Sequence, residues 1–190
     1  AGVTQGSVRV LWDQITNNAI RDWNEIEPAS WFLDQNWAPT SVPSSSETAI
    51  FGFLNSTGTA TGLVDAIANP QQVDVFSGSF EFDSDLEINA DRLRVGVNQD
   101  GAPATLNVSS SRLVFSDASV GSPQANFSSL RVLSDAALAV SRFDVGVAGS
   151  AELILKESLV QVARLRVGYA PIDALDTFSG RLELRGNTFL

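Results

Sequence analysis

A spaced apolar quartet, with steps of two, five and two residues, returns along this chain with small polar residues in the gap. It reads Val73, Val75, Phe80, Phe82, then Leu106, Val108, Leu113, Phe115, then Leu153, Leu155, Val160, Val162. A two-residue step is the period of a β-strand with one buried face, and a five-residue step leaves room for a tight corner before the next inward-facing pair. Leu86, Ile88, Leu93 and Val95 repeat the spacing. A chain patterned in this way coils and stacks, because one unit has too little apolar surface to bury by itself.

A Val-Gly pair marks the unit. Val95-Gly96, Val120-Gly121, Val145-Gly146 and Val167-Gly168 are separated by 25, 25 and 22 residues, which divides the second half into units over 92–116, 117–141, 142–163 and 164–190. Each offers three short strands, for example at 93–95, 106–108 and 113–115. The spacing therefore predicts an all-β fold, a three-sided parallel β-solenoid with rungs of about 22–25 residues. Neighbouring rungs would lie about 4.8 Å apart. The glycine after each valine suits a corner that needs positive φ. In the second unit the gap stretches by one residue, to Leu130, Val132, Leu138, Val140, as a corner that tolerates insertions allows, and the last unit ends on Leu182, Leu184, Phe189.

Residues 1–47 differ from the solenoid expected over 48–190, holding all four tryptophans (Trp12, Trp23, Trp31, Trp37) and ending in the loop APTSVPSSSE. They read as an N-terminal cap and docking segment. Leu11, Ile15, Ala19 and Trp23 recur every four residues, which predicts a short amphipathic helix over 11–23 laid over the first rung. The competing pattern is a strand through Val8, Val10 and Trp12. Residues 48–91 read as the first, irregular rungs.

The residue inventory narrows the chemistry. The 190-residue chain has no histidine, no cysteine and a single lysine, Lys156, so Ser-His-Asp and Cys-His nucleophiles and the usual zinc ligand sets are excluded. Only carboxylates remain. Asp83 with Asp85, Asp74 with Glu81, and Asp173 with Asp176 fall at polar strand or loop positions, where a solvated outer face is expected. The expectation is no enzyme, no catalytic residue, no cofactor and no metal site. A net charge of −10 opposes nucleic acid and anionic lipid as partners. No apolar run reaches the length of a membrane helix, so no membrane insertion is expected, and the small residues Ala1-Gly2 read as the start of a mature secreted chain. At the first position of successive units stand Arg92, Asp117, Arg142 and Arg164, and at the third Arg94, Ser119, Asp144 and Arg166. Stacked, these rows would set register.

Taken together, the stretch WFLDQNWAPTSVPSSSETAIF, with Trp31, Trp37, Pro43, Ala49 and Phe51, and the units RLRVG…L.V….L.F that follow resemble the autotransporter-associated β-strand repeats of secreted bacterial proteins. The resemblance covers residues 31–190. It implies a β-solenoid exposed at the bacterial cell surface as a stalk or passenger, and it implies no particular activity.

The last unit ends in strand pattern with no polar cap after it, and an open rung exposes unpaired backbone and the end of the apolar column. A second copy is the expected cover, joined head to tail, and such a contact does not close. The interface expected from the sequence is Val8, Val10, Leu11 and Trp12 at one end against Leu182, Leu184, Phe189 and Leu190 at the other. The functional expectation is a non-enzymatic extracellular structural protein that stacks into a fibre. The alternative is a surface adhesin presenting loops 98–103 and 169–178 to a cell-surface glycan or a host surface.

Overall fold

The computed structural model describes residues 20–53, 56–97, 102–121, 127–146, 150–168 and 180–186. Its strands in chain order are β1 (Ile20–Trp23), β2 (Ala29–Ser30), β3 (Trp37–Ala38), β4 (Thr48–Phe51), β5 (Thr57–Thr61), β6 (Ile67–Ala68), β7 (Gln72–Val75) and β8 (Gly78–Asp83). They continue as β9 (Glu87–Val95), β10 (Ala104–Val108), β11 (Arg112–Val120), β12 (Ser128–Val132), β13 (Ala137–Val145), β14 (Ala151–Lys156), β15 (Leu159–Val167) and β16 (Gly180–Arg185). From β7 onward, strands alternate between a nine-stranded and a seven-stranded sheet, and each pairs in parallel with the strand two positions on. The chain is a parallel β-solenoid.

The expected row of valines is present. Val95 is the direct partner of Val120, Val120 of Val145 and Val145 of Val167, and Phe51 and Val75 extend the row toward the N-terminus. Leu106, Leu130, Leu153 and Leu182 form a second row in the other sheet, headed by Phe80. Most of these side chains are fully buried in one continuous core. Each buried Val, Leu or Phe contributes about 1.5–3 kcal/mol of transfer free energy.

Three sides are served by two kinds of strand. The nine-residue strands β9, β11 and β13 bend once, so two of the three expected strands of a unit are halves of one. The bend breaks the alternation of the pleat: Ser116 and Asp117 both face outward between buried Phe115 and buried Ala118. In the irregular second coil the same side is split into β6 and β7, with Pro70, which has no N–H for a ladder bond, between them.

The remaining corners turn by left-handed residues. Gly121 after Val120 has φ 95°, as its place in the repeat predicts. The corners between Val108 and Leu113, Val132 and Leu138, and Leu155 and Val160 are turned by non-glycine residues, Ser110 (φ 45°), Asp135 (φ 62°) and Glu157 (φ 51°), whereas the step from Val75 to Phe80 holds Gly78 (φ 91°).

The N-terminal end departs from the helix expectation. Residues 20–23 of the expected helix are strand β1, parallel to β4, and the rest of it lies outside the described residues. Trp23 explains the difference: in extended backbone it reaches the solenoid interior, where its ring stacks on Phe51 at 5.6 Å, and no helix on the outside would place it there. Residues 20–38 contribute to both sheets through β1, β2 and β3. Among the described residues there is no α-helix, only a 3-10 turn at Asp34–Asn36.

Candidate functional site

The two ends of the apolar column are built differently. At the N-terminal end β3 crosses antiparallel to β1, against the parallel grain of the molecule, and Pro39 follows it directly. A two-residue antiparallel edge followed by proline is a poor template for further pairing. Beneath it Trp23, Trp31 and Trp37 are buried against Phe51, with ring centroids 4.8 Å apart for Trp31 and Trp37 and 5.0 Å for Trp23 and Trp37. The Trp37 indole N–H donates to the Trp31 carbonyl at 2.8 Å. Among the described residues, large rings fill the column on that side.

At the C-terminal end β15 and β16 are the outermost strands of their sheets. Their outer edges have no strand partner among the described residues. The consequence is visible residue by residue, because every coil presents the same register. Val167 is 37% exposed, whereas Val145, its partner one coil back, is fully buried. Leu184 is 51% exposed, while its partner Leu155 is fully buried. Leu182, Leu165 and Val162 are partly buried where their counterparts Leu153, Phe143 and Val140 are buried. Among the described residues the apolar column is uncovered on this side, against parallel edges nine and six residues long.

Of the interface read from the sequence, Leu182 and Leu184 lie on this edge strand. Val8, Val10, Leu11, Trp12, Phe189 and Leu190 lie outside the described residues. What sequence reasoning missed is the ionic character of the edge: Arg164 on β15 and Arg181 and Arg185 on β16 are exposed side chains there. The alternating signs along each unit were the available signal.

Ion pairs run from coil to coil along the outer faces. Arg142 binds Asp117 at 2.7 Å and Arg112 binds Glu87 at 2.5 Å, each across one ladder step, and Arg166 closes a two-pronged contact on Asp144. The row Arg92, Asp117, Arg142 alternates as its register predicts, but Arg164 then stacks on Arg142, a like charge. On β16, Glu183 lies between Arg181 and Arg185 at 2.8 Å and 2.5 Å. The Arg185 hydrogen bond, aided by the charges of both arginines, holds the Glu183 carboxyl below the usual glutamate range.

The carboxylates weighed as chemistry do not converge. Asp74 is bound to Arg94 on one sheet, while Glu81 lies on the other. Glu81 and Asp83 both lie within hydrogen-bond reach of the Ser109 hydroxyl, at 3.2 Å and 3.0 Å. Asp173 and Asp176 lie outside the described residues. Asp65, Asp85 and Asp135 flank a shallow groove of about 380 Å³ at the left-handed corner. Among the described residues no three acidic groups are placed to hold a metal ion. Compared with known proteins, the chain matches no family model, and no curated protein or solved structure shows significant similarity to it.

Proposed function

We propose that this protein is a non-enzymatic structural protein of the bacterial cell exterior, in which the open C-terminal edge of one copy receives the next copy, so that subunits join head to tail into a fibre. The observation that carries this reading is the contrast between buried Val145 and Leu155 and exposed Val167 and Leu184 at the same register. A rung with its neighbour in place buries these side chains; the last described rung leaves them to water. Heterologous contacts of this kind propagate without closing. The exterior location rests on the resemblance of residues 31–190 to the autotransporter-associated repeats.

Negative-stain electron microscopy of the purified chain and of Leu184→Asp tests the proposal. Leu184 is half exposed, so the substitution is compatible with folding, and it places a charge in the junction. The expected result is filaments from the wild type and single particles from the variant. Wild-type protein that remains as separate particles at every concentration overturns the fibre reading and favours a monomeric surface module.

A further inference from the structure

The solenoid is electrically polar along its axis. Residues 20–97 hold twelve carboxylates against three arginines. The two edge strands at the other end, β15 and β16, hold four arginines against Glu183, and the connecting residues 169–179 add Asp173 and Asp176. Within a chain of net charge −10, β15 and β16 by themselves thus carry a net charge of +3, with Arg166 paired to Asp144, Arg181 to Glu152 and Glu183, and Arg185 to Glu183. At the opposite end Glu27 and Asp34 are exposed and Glu25 is half-buried, all in the loops that follow β1 and β2.

Resting on the assembly proposed above, we propose that Arg164, Arg181 and Arg185 on the C-terminal edge of one copy engage Glu25, Glu27 and Asp34 on the first coil of the next. Inside the molecule the same chemistry joins successive coils: Glu87 to Arg112, Asp117 to Arg142 and Asp144 to Arg166 each pair an acid on the earlier coil with an arginine on the later one, while Arg21 with Glu47 and Arg131 with Glu152 run the other way. Two like edges repel, so cationic edges do not meet face to face and neither do acidic first coils. That leaves the polar, non-closing arrangement and disfavours a closed two-fold dimer. Opposite charges on the two ends also steer encounter, which acts mainly on the association rate.

Edge arginines have a second recognised use, keeping like strands apart as a guard against aggregation. The two roles respond to salt in opposite directions. If the arginines recruit the next copy, screening slows assembly; if they guard the edge, screening speeds it.

The test follows filament growth of the full chain by light scattering while sodium chloride rises from about 50 mM to about 0.5 M, over which the screening length shortens several-fold. The expected result is growth at least about tenfold slower at the high end. Arg164→Glu with Arg181→Glu should stop growth, as should Glu25→Lys with Glu27→Lys, and an equimolar mixture of the two variants should restore it. Circular dichroism melts confirm that each variant is folded. Growth that speeds up or stays unchanged with salt overturns the proposal while leaving the fibre reading intact. Slowing by salt without rescue in the mixture places another acidic partner on this edge and overturns the assignment to the first coil. A wild type that never assembles overturns both.

Discussion

Arg94 grips Asp74 from one coil further along the chain, with Nε 2.8 Å from Oδ1 and Nη2 2.5 Å from Oδ2. Asp74 is 2% exposed, whereas the Arg94 side chain keeps about a third of its surface in water. Burial pulls the Arg94 pKa down, but the hydrogen bond and charge of Asp74 outweigh it and hold the guanidinium above its usual range. Arg94→Ala strands a buried carboxylate that keeps one hydrogen bond, from Gln72 at 2.8 Å. The expected cost is about 2–4 kcal/mol by urea unfolding. Replacing both partners with alanine should cost less than Arg94→Ala alone, and a larger loss in the double variant would contradict the pairing.

Glycines that follow the valine row should differ in their tolerance of alanine. At Gly52, with φ 91°, an added Cβ would lie 2.0 Å from the Ser77 carbonyl oxygen, so backbone must move. At Gly168, with φ 62°, the nearest atom would be 3.2 Å away. Thermal unfolding should show Gly168→Ala losing about 1–2 kcal/mol, the ordinary left-handed penalty, and Gly52→Ala losing clearly more. Equal losses would mean that the corner, and not the neighbouring strand, sets the constraint.

Leu155 and Leu184 are direct partners with opposite environments. Leu155→Ala opens a cavity in packed core and should cost about 2–5 kcal/mol. In the monomer Leu184→Ala should cost less than about 1 kcal/mol. Chemical denaturation of both variants under conditions that prevent assembly gives the comparison.

Glu47 supplies the pH dependence. Burial raises its pKa, but hydrogen bonds from Ser44 and the charge of Arg21 outweigh burial and bring it below the usual glutamate value. A carboxyl with a depressed folded-state pKa contributes stability that is present above its unfolded pKa and is lost as pH falls through the folded one. The difference in melting temperature between wild type and Glu47→Gln should therefore be largest near neutrality and shrink as the solution is acidified below about pH 4.3. A constant difference would remove Glu47 from the acid response.

The regular coils were legible because register in a solenoid is written as spacing: Val95, Val120, Val145 and Val167 each precede a glycine, recur every 22 to 25 residues and stack as direct partners in one row. The first coil was not. Leu11, Ile15, Ala19 and Trp23 satisfy a helical period, but Trp23 is held in strand by its contacts with Trp37 and Phe51, both distant in sequence. The antiparallel strap at Trp37–Ala38 leaves no periodic trace because it is only two residues long. Nor does composition announce the left-handed turn at Glu157, a residue with no preference for that conformation. Of the candidate site, Leu182 and Leu184 were readable from the quartet. The axial separation of charge became visible only once each arginine had a place along the coil.

Sedimentation velocity of the full chain over a concentration series bears most directly on the open edge as a junction between copies. Head-to-tail growth predicts a broad distribution whose mean size keeps rising with concentration, while Leu184→Asp stays at the monomer. A wild type that sediments as one monomer or one closed dimer throughout would contradict it.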